Sequence, residues 1–289
     1  MKNKISITLD ENVVEGIKTI IDGIYIRNTS QAVEYLLKKT LSGNNKAIFL
    51  CGGGSFKRTE NGYFRPCTPF MDSTAIAHNL RFLNLNGFNE IVIVAQEPNL
   101  NEIKIAVEKE KIVGMNVKYI ANAEDTQGSM DTLRMSGLLT GTTLVCFGDI
   151  LFFDSNLQNF WKTHLLYKGI STLYVQAFTN KLGNAGVVNM EGNQINSFVQ
   201  KPGTQFSLIH FSAVFITEPS ILDYKGHSLE FDIFPQLAKK KQLIGYLSNK
   251  PIHHFHTEKE IKKLETQLKK PLQSESSSNS LKRKKVKQK

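Results

Sequence analysis

Residues 50–58 read Leu50-Cys51-Gly52-Gly53-Gly54-Ser55-Phe56-Lys57-Arg58, an apolar run that breaks into three glycines and ends in two cations. A glycine-rich turn at the carboxyl end of a strand leaves backbone N–H groups pointing into open space. Lys57 and Arg58 add positive charge there, and the combination suits a phosphate. The loop is not a P-loop, which needs Gly-Lys-Ser/Thr, nor a dinucleotide fingerprint, and a tight structural turn explains it as well. Asp149 follows Gly148 at the end of another apolar run. A carboxylate in that position is costly unless a cation meets it, which points to a metal ion, or else to a turn or helix-capping role. His253, His254 and His256 form a third group. At strand spacing His254 and His256 share one face, and they either join Asp149 around a softer ion or are ordinary imidazoles near an edge.

These residues need strands and helices to hold them. After the polar hinge Ser42-Gly43-Asn44-Asn45 the chain alternates apolar runs with amphipathic stretches. Strands are expected over Ala47–Cys51, Glu90–Ala95, Val117–Ile120, Thr143–Phe147 and Ser171–Thr179, with helices near Ser73–Asn86, Asn101–Glu110 and Ser129–Leu138. Near-continuous apolar strands separated by helices imply a parallel sheet wound on both faces, with ligands at the carboxyl ends of its strands. Before the hinge, Ile5, Ile7 and Leu9 alternate with polar residues as a short strand. Asp10 then caps a helix bearing Val13, Val14, Ile17, Ile20 and Ile21 that stops at Gly23. Asn28 and Gln31 form a capping box for a second helix with Ala32, Val33, Leu36, Leu37 and Leu41 inward. The expected domains are residues 1–42, residues 46–270 and a tail over 271–289.

Of the net charge of +10, half sits in that tail, where six cations face Glu275 alone, so the tail reads as disordered and is either a solvated extension or a non-specific nucleic-acid contact. The 40% hydrophobic content is enough for a real core. Three cysteines, Cys51, Cys67 and Cys146, make no disulfide framework and fit a reducing, cytoplasmic compartment. The longest apolar run is broken by Gly148 and Asp149, so neither a membrane span nor secretion is expected.

Two parts of the chain resemble known families. Ile5-Ser-Ile-Thr-Leu-Asp-Glu-Asn-Val-Val14 followed by Asn28-Thr-Ser-Gln-Ala-Val-Glu-Tyr-Leu-Leu37 resembles the ribbon-helix-helix family of DNA-binding proteins. In that family two chains pair their strands into a ribbon that enters the major groove. The resemblance implies a homodimer with Lys4, Ser6 and Thr8 against bases and Ser30 at a DNA phosphate; the other reading of residues 1–42 is a dimerisation module alone.

The second resemblance spans residues 46–265. The stretch from Leu50 to Lys57, then Arg65-Pro-Cys-Thr-Pro-Phe-Met-Asp leading through a helix to Gly87-Phe-Asn-Glu-Ile-Val-Ile-Val94, is similar to the opening of the sugar-phosphate nucleotidyltransferases. Gln127-Gly-Ser-Met-Asp-Thr-Leu-Arg134, Val145-Cys-Phe-Gly-Asp-Ile-Leu-Phe152, Ala185-Gly-Val-Val188, Phe198-Val-Gln-Lys-Pro202, Ser228-Leu-Glu-Phe-Asp-Ile-Phe-Pro-Gln-Leu237 and His253-His-Phe-His-Thr-Glu-Lys-Glu260 resemble later family motifs in order. The resemblance implies a Rossmann-like α/β fold of the glycosyltransferase-A type with a mixed sheet. It also implies transfer of a nucleotide from an NTP to a sugar 1-phosphate, with release of pyrophosphate. Carried over residue by residue, Gly52, Gly53, Gly54 and Ser55 cradle phosphates, with Lys57 and Arg65 as catalytic cations. Gly128 lies against the base, Gly186, Gln200 and Lys201 hold the sugar phosphate, and Asp149 with His254 holds Mg²⁺ or Mn²⁺. Several positions depart from the pattern. Ser55 replaces a loop glycine, Lys57 an arginine, Arg65 a lysine, Gln200 a glutamate and His254 the second metal-binding aspartate, although hard cations prefer oxygen to imidazole. The departures support a rival reading, a transcription regulator whose non-catalytic domain senses a nucleotide or sugar nucleotide.

Overall fold

The structure, a computed structural model, describes residues 6–21, 26–34, 46–52, 58–123, 126–137, 139–152, 155–177, 185–202 and 207–266. Lys4, Ile5, Gly23, Leu36, Leu37, Leu41, Gly53, Gly54, Ser55, Lys57 and the tail over 271–289 lie outside the described residues. The chain divides into two units, Met1–Asn45 and Lys46–Lys289.

In the first unit, helix α1 (Glu11–Lys18) starts after Asp10, whose backbone is extended but whose side chain makes no capping bond. The Asp10 carbonyl instead accepts from the N–H groups of Val13 and Val14. The helix ends earlier than the expected stop at Gly23, so Ile20 and Ile21 lie past its last turn. Gly16 weakens that turn, and Thr19 Oγ1 donates to the Gly16 carbonyl at 2.7 Å, a local bond that competes with continuation. Residues 6–10 of the expected strand are not in a strand and pair with no other strand among the described residues. Ile7, Leu9 and Val13 are exposed there, whereas Ile17 and Ala32 are buried. The capping box exists with a shift of one residue. Gln31 N–H donates to Asn28 Oδ1 at 2.9 Å, and Gln31 Oε1 accepts from Arg27 N–H at 2.7 Å, opening the helical residues 29–34.

The second unit is built on a sheet whose strands are β1 (Lys46–Leu50), β4 (Glu90–Ala95), β5 (Asn116–Ala121), β6 (Thr143–Phe147), β8 (Ser171–Ala177), β9 (Gly186–Glu191), β10 (Gln194–Gln200), β11 (Ile209–Thr217) and β12 (Leu243–Leu247). Their order is β5-β4-β1-β6-β11-β8-β12-β10-β9. β5, β4, β1 and β6 run parallel, as their apolar composition implies. The expectation of one parallel sheet through residue 179 is corrected by β11, which inserts between β6 and β8 antiparallel to both. Two small ladders flank the sheet: β2 (Pro69–Phe70) with β3 (Ser73–Thr74), and β7 (Ile150–Phe152) with β13 (Ile252–His254).

Helices α2 (Ala75–Leu85) and α3 (Glu97–Glu108) pack on each other, α4 (Ser129–Met135) packs on β1 and β4, and α5 (Leu157–Tyr167) packs on β8 and β12. Two helix starts differ from expectation. Ser73 and Thr74 belong to β3, with Thr74 Oγ1 accepting from the Ala77 N–H. α3 begins at Glu97 because Pro98 is tolerated in a first turn, where its missing N–H costs nothing. α6 (Phe234–Lys239) continues a π turn, Leu229–Ile233. The core gathers β1, β4, β6 and β11 with Phe160, Tyr174, Phe215 and Phe234.

Candidate functional site

From β1 the chain moves outward to β4 and β5, then returns to the other side of β1 as β6. That reversal opens a crevice outside the carboxyl ends of β1 and β6, where α/β sheets bind ligands. Leu50, Cys51 and Gly52 end one strand, Gly148 and Asp149 the other, and with Phe64, Arg65 and Pro66 they line one small cleft. The Gly148 N–H donates to the Leu50 carbonyl at 3.1 Å, which locks the two ends together. A side chain at Gly148 has no room. A Cβ would stand 2.7 Å from Cys51 Sγ and 2.9 Å from Pro66 Cγ.

Asp149 therefore enters the cleft at a fixed height, and its carboxylate meets a cation. Arg65 Nη1 lies 3.4 Å from Asp149 Oδ2, with the two side chains only 19% and 14% exposed. Arg65 opens the 3₁₀ turn Arg65–Cys67 and is held from both directions. Upstream, Arg58 bridges to Phe64, pairs through both guanidinium nitrogens with Glu102 and reaches Asn99 at 3.3 Å. Thr59 and Asn61 both donate to Glu258, at the start of helical residues 258–266. Arg65 Nε is buried and has no hydrogen-bond partner among the described residues, so the guanidinium retains a donor for an anion.

Downstream of Asp149, β7 is pinned by Asn79. Its side-chain amide donates to the Ile150 carbonyl at 2.7 Å and accepts from the Phe152 N–H at 2.9 Å, imitating a strand neighbour. β13 lies on the other side, with His254 opposite Ile150. The Asp149 carbonyl accepts from the Phe255 N–H, and His256 Nδ1 lies 4.0 Å from Asp149 Oδ2. Among the described residues no group of three histidine, cysteine or acidic side chains is placed to hold a metal ion. His256, two residues beyond the expected ligand His254, thus also faces the Asp149 carboxylate.

The other expected residues fall in four places. Gly52 is wedged by Thr132 and Asn122, which a Cβ would approach to 2.9 and 3.0 Å. Gly128 precedes α4, and the side where a Cβ would project is filled by main chain, with the His227 carbonyl oxygen 2.3 Å away. Close approach of two backbones is thus sufficient reason for a glycine at 128. Gly186 and Gln200 are paired across β9 and β10, and Gln200 Oε1 is buried without a partner among the described residues. Lys201 follows in a left-handed conformation, φ 51°, its N–H donating to the Ala185 carbonyl. That conformation is uncommon for a residue with a side chain and turns the chain sharply where β10 ends. Ser6, Thr8 and Ser30 are exposed on the first unit.

Ser228, Glu230 and Asp232, within the stretch Ser228–Leu237 that resembles a family motif, have a structural task. Ser129 Oγ donates to Glu230 and accepts from the Leu229 N–H. Asp232 Oδ2 accepts from the N–H groups of His227 and Ser228, and those bonds hold its pKa below the usual carboxylate range. Asp131 receives His227 Nδ1 at 2.7 Å and Arg134 Nη1 at 3.1 Å. Arg134 also donates to the carbonyls of Gly226 and Tyr224. The motif fastens residues 224–232 to α4, and so sets where Gly128 stands.

The three cysteines are free and buried, and burial pushes the Cys67 thiol up to about 12. Among the described residues no helix is long and apolar enough to cross a membrane. A family model for nucleotidyl transferases matches residues 60–259, more than half of the chain. Among solved structures, a Bacillus anthracis protein described as a glucose-1-phosphate thymidylyltransferase, in complex with sucrose, superposes with a TM-score of 0.67 at 15% identity, over 76% of this chain and 94% of its own. A UDP-glucose pyrophosphorylase complexed with UDP-glucose gives a TM-score of 0.65 at 15% identity, over 79% of this chain and 99% of its own. At such identity the likeness is one of fold. No curated protein sequence matches the chain.

Proposed function

Because the chain belongs to the nucleotidyl transferase family, we propose that it joins a nucleoside triphosphate to a sugar 1-phosphate, giving an NDP-sugar and pyrophosphate. The observation that carries this reading is the Arg65–Asp149 pair, set in the crevice where the strand order reverses. The substrates named for the similar structures, a sugar 1-phosphate and a nucleotide sugar, agree with it.

In this reaction a sugar-phosphate oxygen attacks the α-phosphorus, a new P–O bond forms, and the bond to the β-phosphate breaks. Such a step needs positioning and charge neutralisation rather than a covalent nucleophile. Arg65 supplies fixed donors to the phosphates. Asp149 orients that guanidinium, and Gly52, Gly53, Gly54, Ser55 and Lys57 complete the phosphate loop. Gly186, Gln200 and Lys201 receive the sugar phosphate, with Gln200 Oε1 taking a hydroxyl donor.

The family resemblance implies Mg²⁺ or Mn²⁺ held by Asp149 and His254. The donor set does not fit it. Asp149 is matched by a guanidinium, and the nitrogen that approaches its carboxylate belongs to an imidazole, a poor partner for a hard cation.

For residues 1–42 we retain the ribbon-helix-helix reading. A unit this small with bare, exposed Ile7 and Leu9 calls for a second copy. Lys4, Ser6 and Thr8 would then meet bases, and Ser30 a DNA phosphate.

The direct test incubates the full chain with each NTP and a panel of sugar 1-phosphates and measures pyrophosphate release. Arg65→Met is expected to lower kcat/KM about 100-fold, the order found for loss of one fixed transition-state donor. No release from any pair, by a folded protein, would reject the enzyme and favour the nucleotide-sensing regulator.

A further inference from the structure

We infer that this site takes its nucleotide as the free polyphosphate, with Arg65 in the place where a divalent cation would otherwise sit against Asp149. The inference rests on the nucleotide reading above and concerns how the phosphates are held. Three observations lead to it.

The first is the pairing itself. Arg65 Nη1 lies 3.4 Å from Asp149 Oδ2 in a cleft where both side chains are largely buried, so the carboxylate's charge is already answered by a cation. The second is rigidity. Arg65 is followed by Pro66, which stands against Gly148, and is preceded by a loop tied down through Arg58 to Glu102 and Asn99 and through Thr59 and Asn61 to Glu258. The main chain that carries Arg65 is thereby fixed beside Asp149, so the guanidinium starts from one place in the cleft. The third is an unused donor. Arg65 Nε is buried and unpartnered among the described residues, and a phosphate oxygen is the acceptor that matches a planar guanidinium. His256 Nδ1, 4.0 Å from the same carboxylate oxygen, occupies a further approach to Asp149 with nitrogen rather than oxygen.

In this arrangement Asp149 holds Arg65 and at the same time repels the polyphosphate it helps to bind. Its charge is therefore a cost to nucleotide affinity, the reverse of its role as a metal ligand. The sign of one substitution separates the two.

The experiment titrates the full chain and its Asp149→Asn variant with ATP, GTP, CTP, UTP and dTTP by calorimetry, in EDTA and in MgCl₂. For the nucleotide that binds, the parent's affinity in EDTA is expected within about threefold of that in MgCl₂. The isosteric Asp149→Asn is expected to bind about threefold to tenfold more tightly in EDTA, because a like charge near the phosphates is gone. Binding that requires Mg²⁺ and disappears in Asp149→Asn would overturn the inference and leave the nucleotide reading intact. So would a variant that binds more weakly than the parent in EDTA. If a folded chain binds none of the five under either condition, the nucleotide reading itself falls, and this inference with it.

Discussion

Gly148 shows how little freedom the site leaves. Its N–H bonds to Leu50, and the space beside its Cα belongs to Cys51 Sγ and Pro66 Cγ. Pro66 adjoins Arg65 in the chain and Asp149 follows Gly148, so a methyl group here displaces both members of the ion pair. Gly148→Ala is expected to cost about 1–3 kcal/mol of stability, the usual range for an overpacked core. Nucleotide affinity is expected to fall about tenfold or more, since a fixed guanidinium loses its value when it moves. Urea unfolding and nucleotide titration of the variant measure the two separately. A stability loss with unchanged affinity would mean that Arg65 and Asp149 do not act as one unit. The same residues mark what sequence reasoning can reach. A carboxylate at the end of an apolar run demands a cation, and that much follows from Asp149 and its neighbours. That the cation is Arg65, 84 positions away, follows only from the crossing of β1 and β6.

At the scale of elements, β1, β4, β5 and β6 were legible because strands packed in a parallel sheet are written as continuous apolar runs. β11 is as deeply buried but escaped notice because His210, Ser212 and Thr217 interrupt its hydropathy. Across the sheet Ser212 donates to Gln176, and the Thr217 and Ser171 hydroxyls bond each other at 2.7 Å. Burial that is satisfied by a neighbouring strand leaves no signature in a single segment. β10 was missed for the opposite reason, since its half-buried pattern is short and bends at a register shift between Ile195 and Ser197. α5 adds a consequence that can be measured. His164 is buried on its inner face, with Nδ1 2.8 Å from Thr172 Oγ1 and Nε2 2.9 Å from Glu218 Oε1. Burial lowers its pKa, outweighing the opposing pull of Glu218, so the ring is neutral in the folded chain at neutral pH. The unfolded chain takes up this proton near the ordinary imidazole value of about 6.5, and the folded chain only below it. Stability is therefore full above about pH 6.5 and declines as the pH falls toward the folded value. His78 and His253, also lowered by burial, act in the same direction. Urea midpoints are expected to drop between about pH 7.5 and about pH 5.5, and His164→Gln is expected to flatten that slope. An unchanged slope would place the pH dependence elsewhere.

At the scale of the whole molecule the question is what each unit can do without the other. Residues 46–266 contain the nine-stranded sheet, both flanking ladders and the main core, and the family match begins at residue 60. Every side chain assigned to phosphate or sugar lies in this stretch. The first unit has Ile17 and Ala32 buried, but Ile7, Leu9 and Val13 exposed. A segment with an apolar face and no ladder is unstable alone and is completed by pairing, and under about 40–45 residues a chain seldom closes its own core. On the proposed reading the two units divide the labour, association in the first and chemistry in the second. Deleting residues 1–45 is expected to convert a dimer into a monomer by sedimentation and to abolish any retention on DNA. Nucleotide affinity of the remainder is expected to stay within about twofold of the parent, since no residue of its site is removed. A tenfold loss of affinity in a folded monomer would show that dimerisation shapes the crevice. The first unit would then be part of the site, and nucleotide and DNA binding would be linked through it, each altering the other's affinity by the same factor.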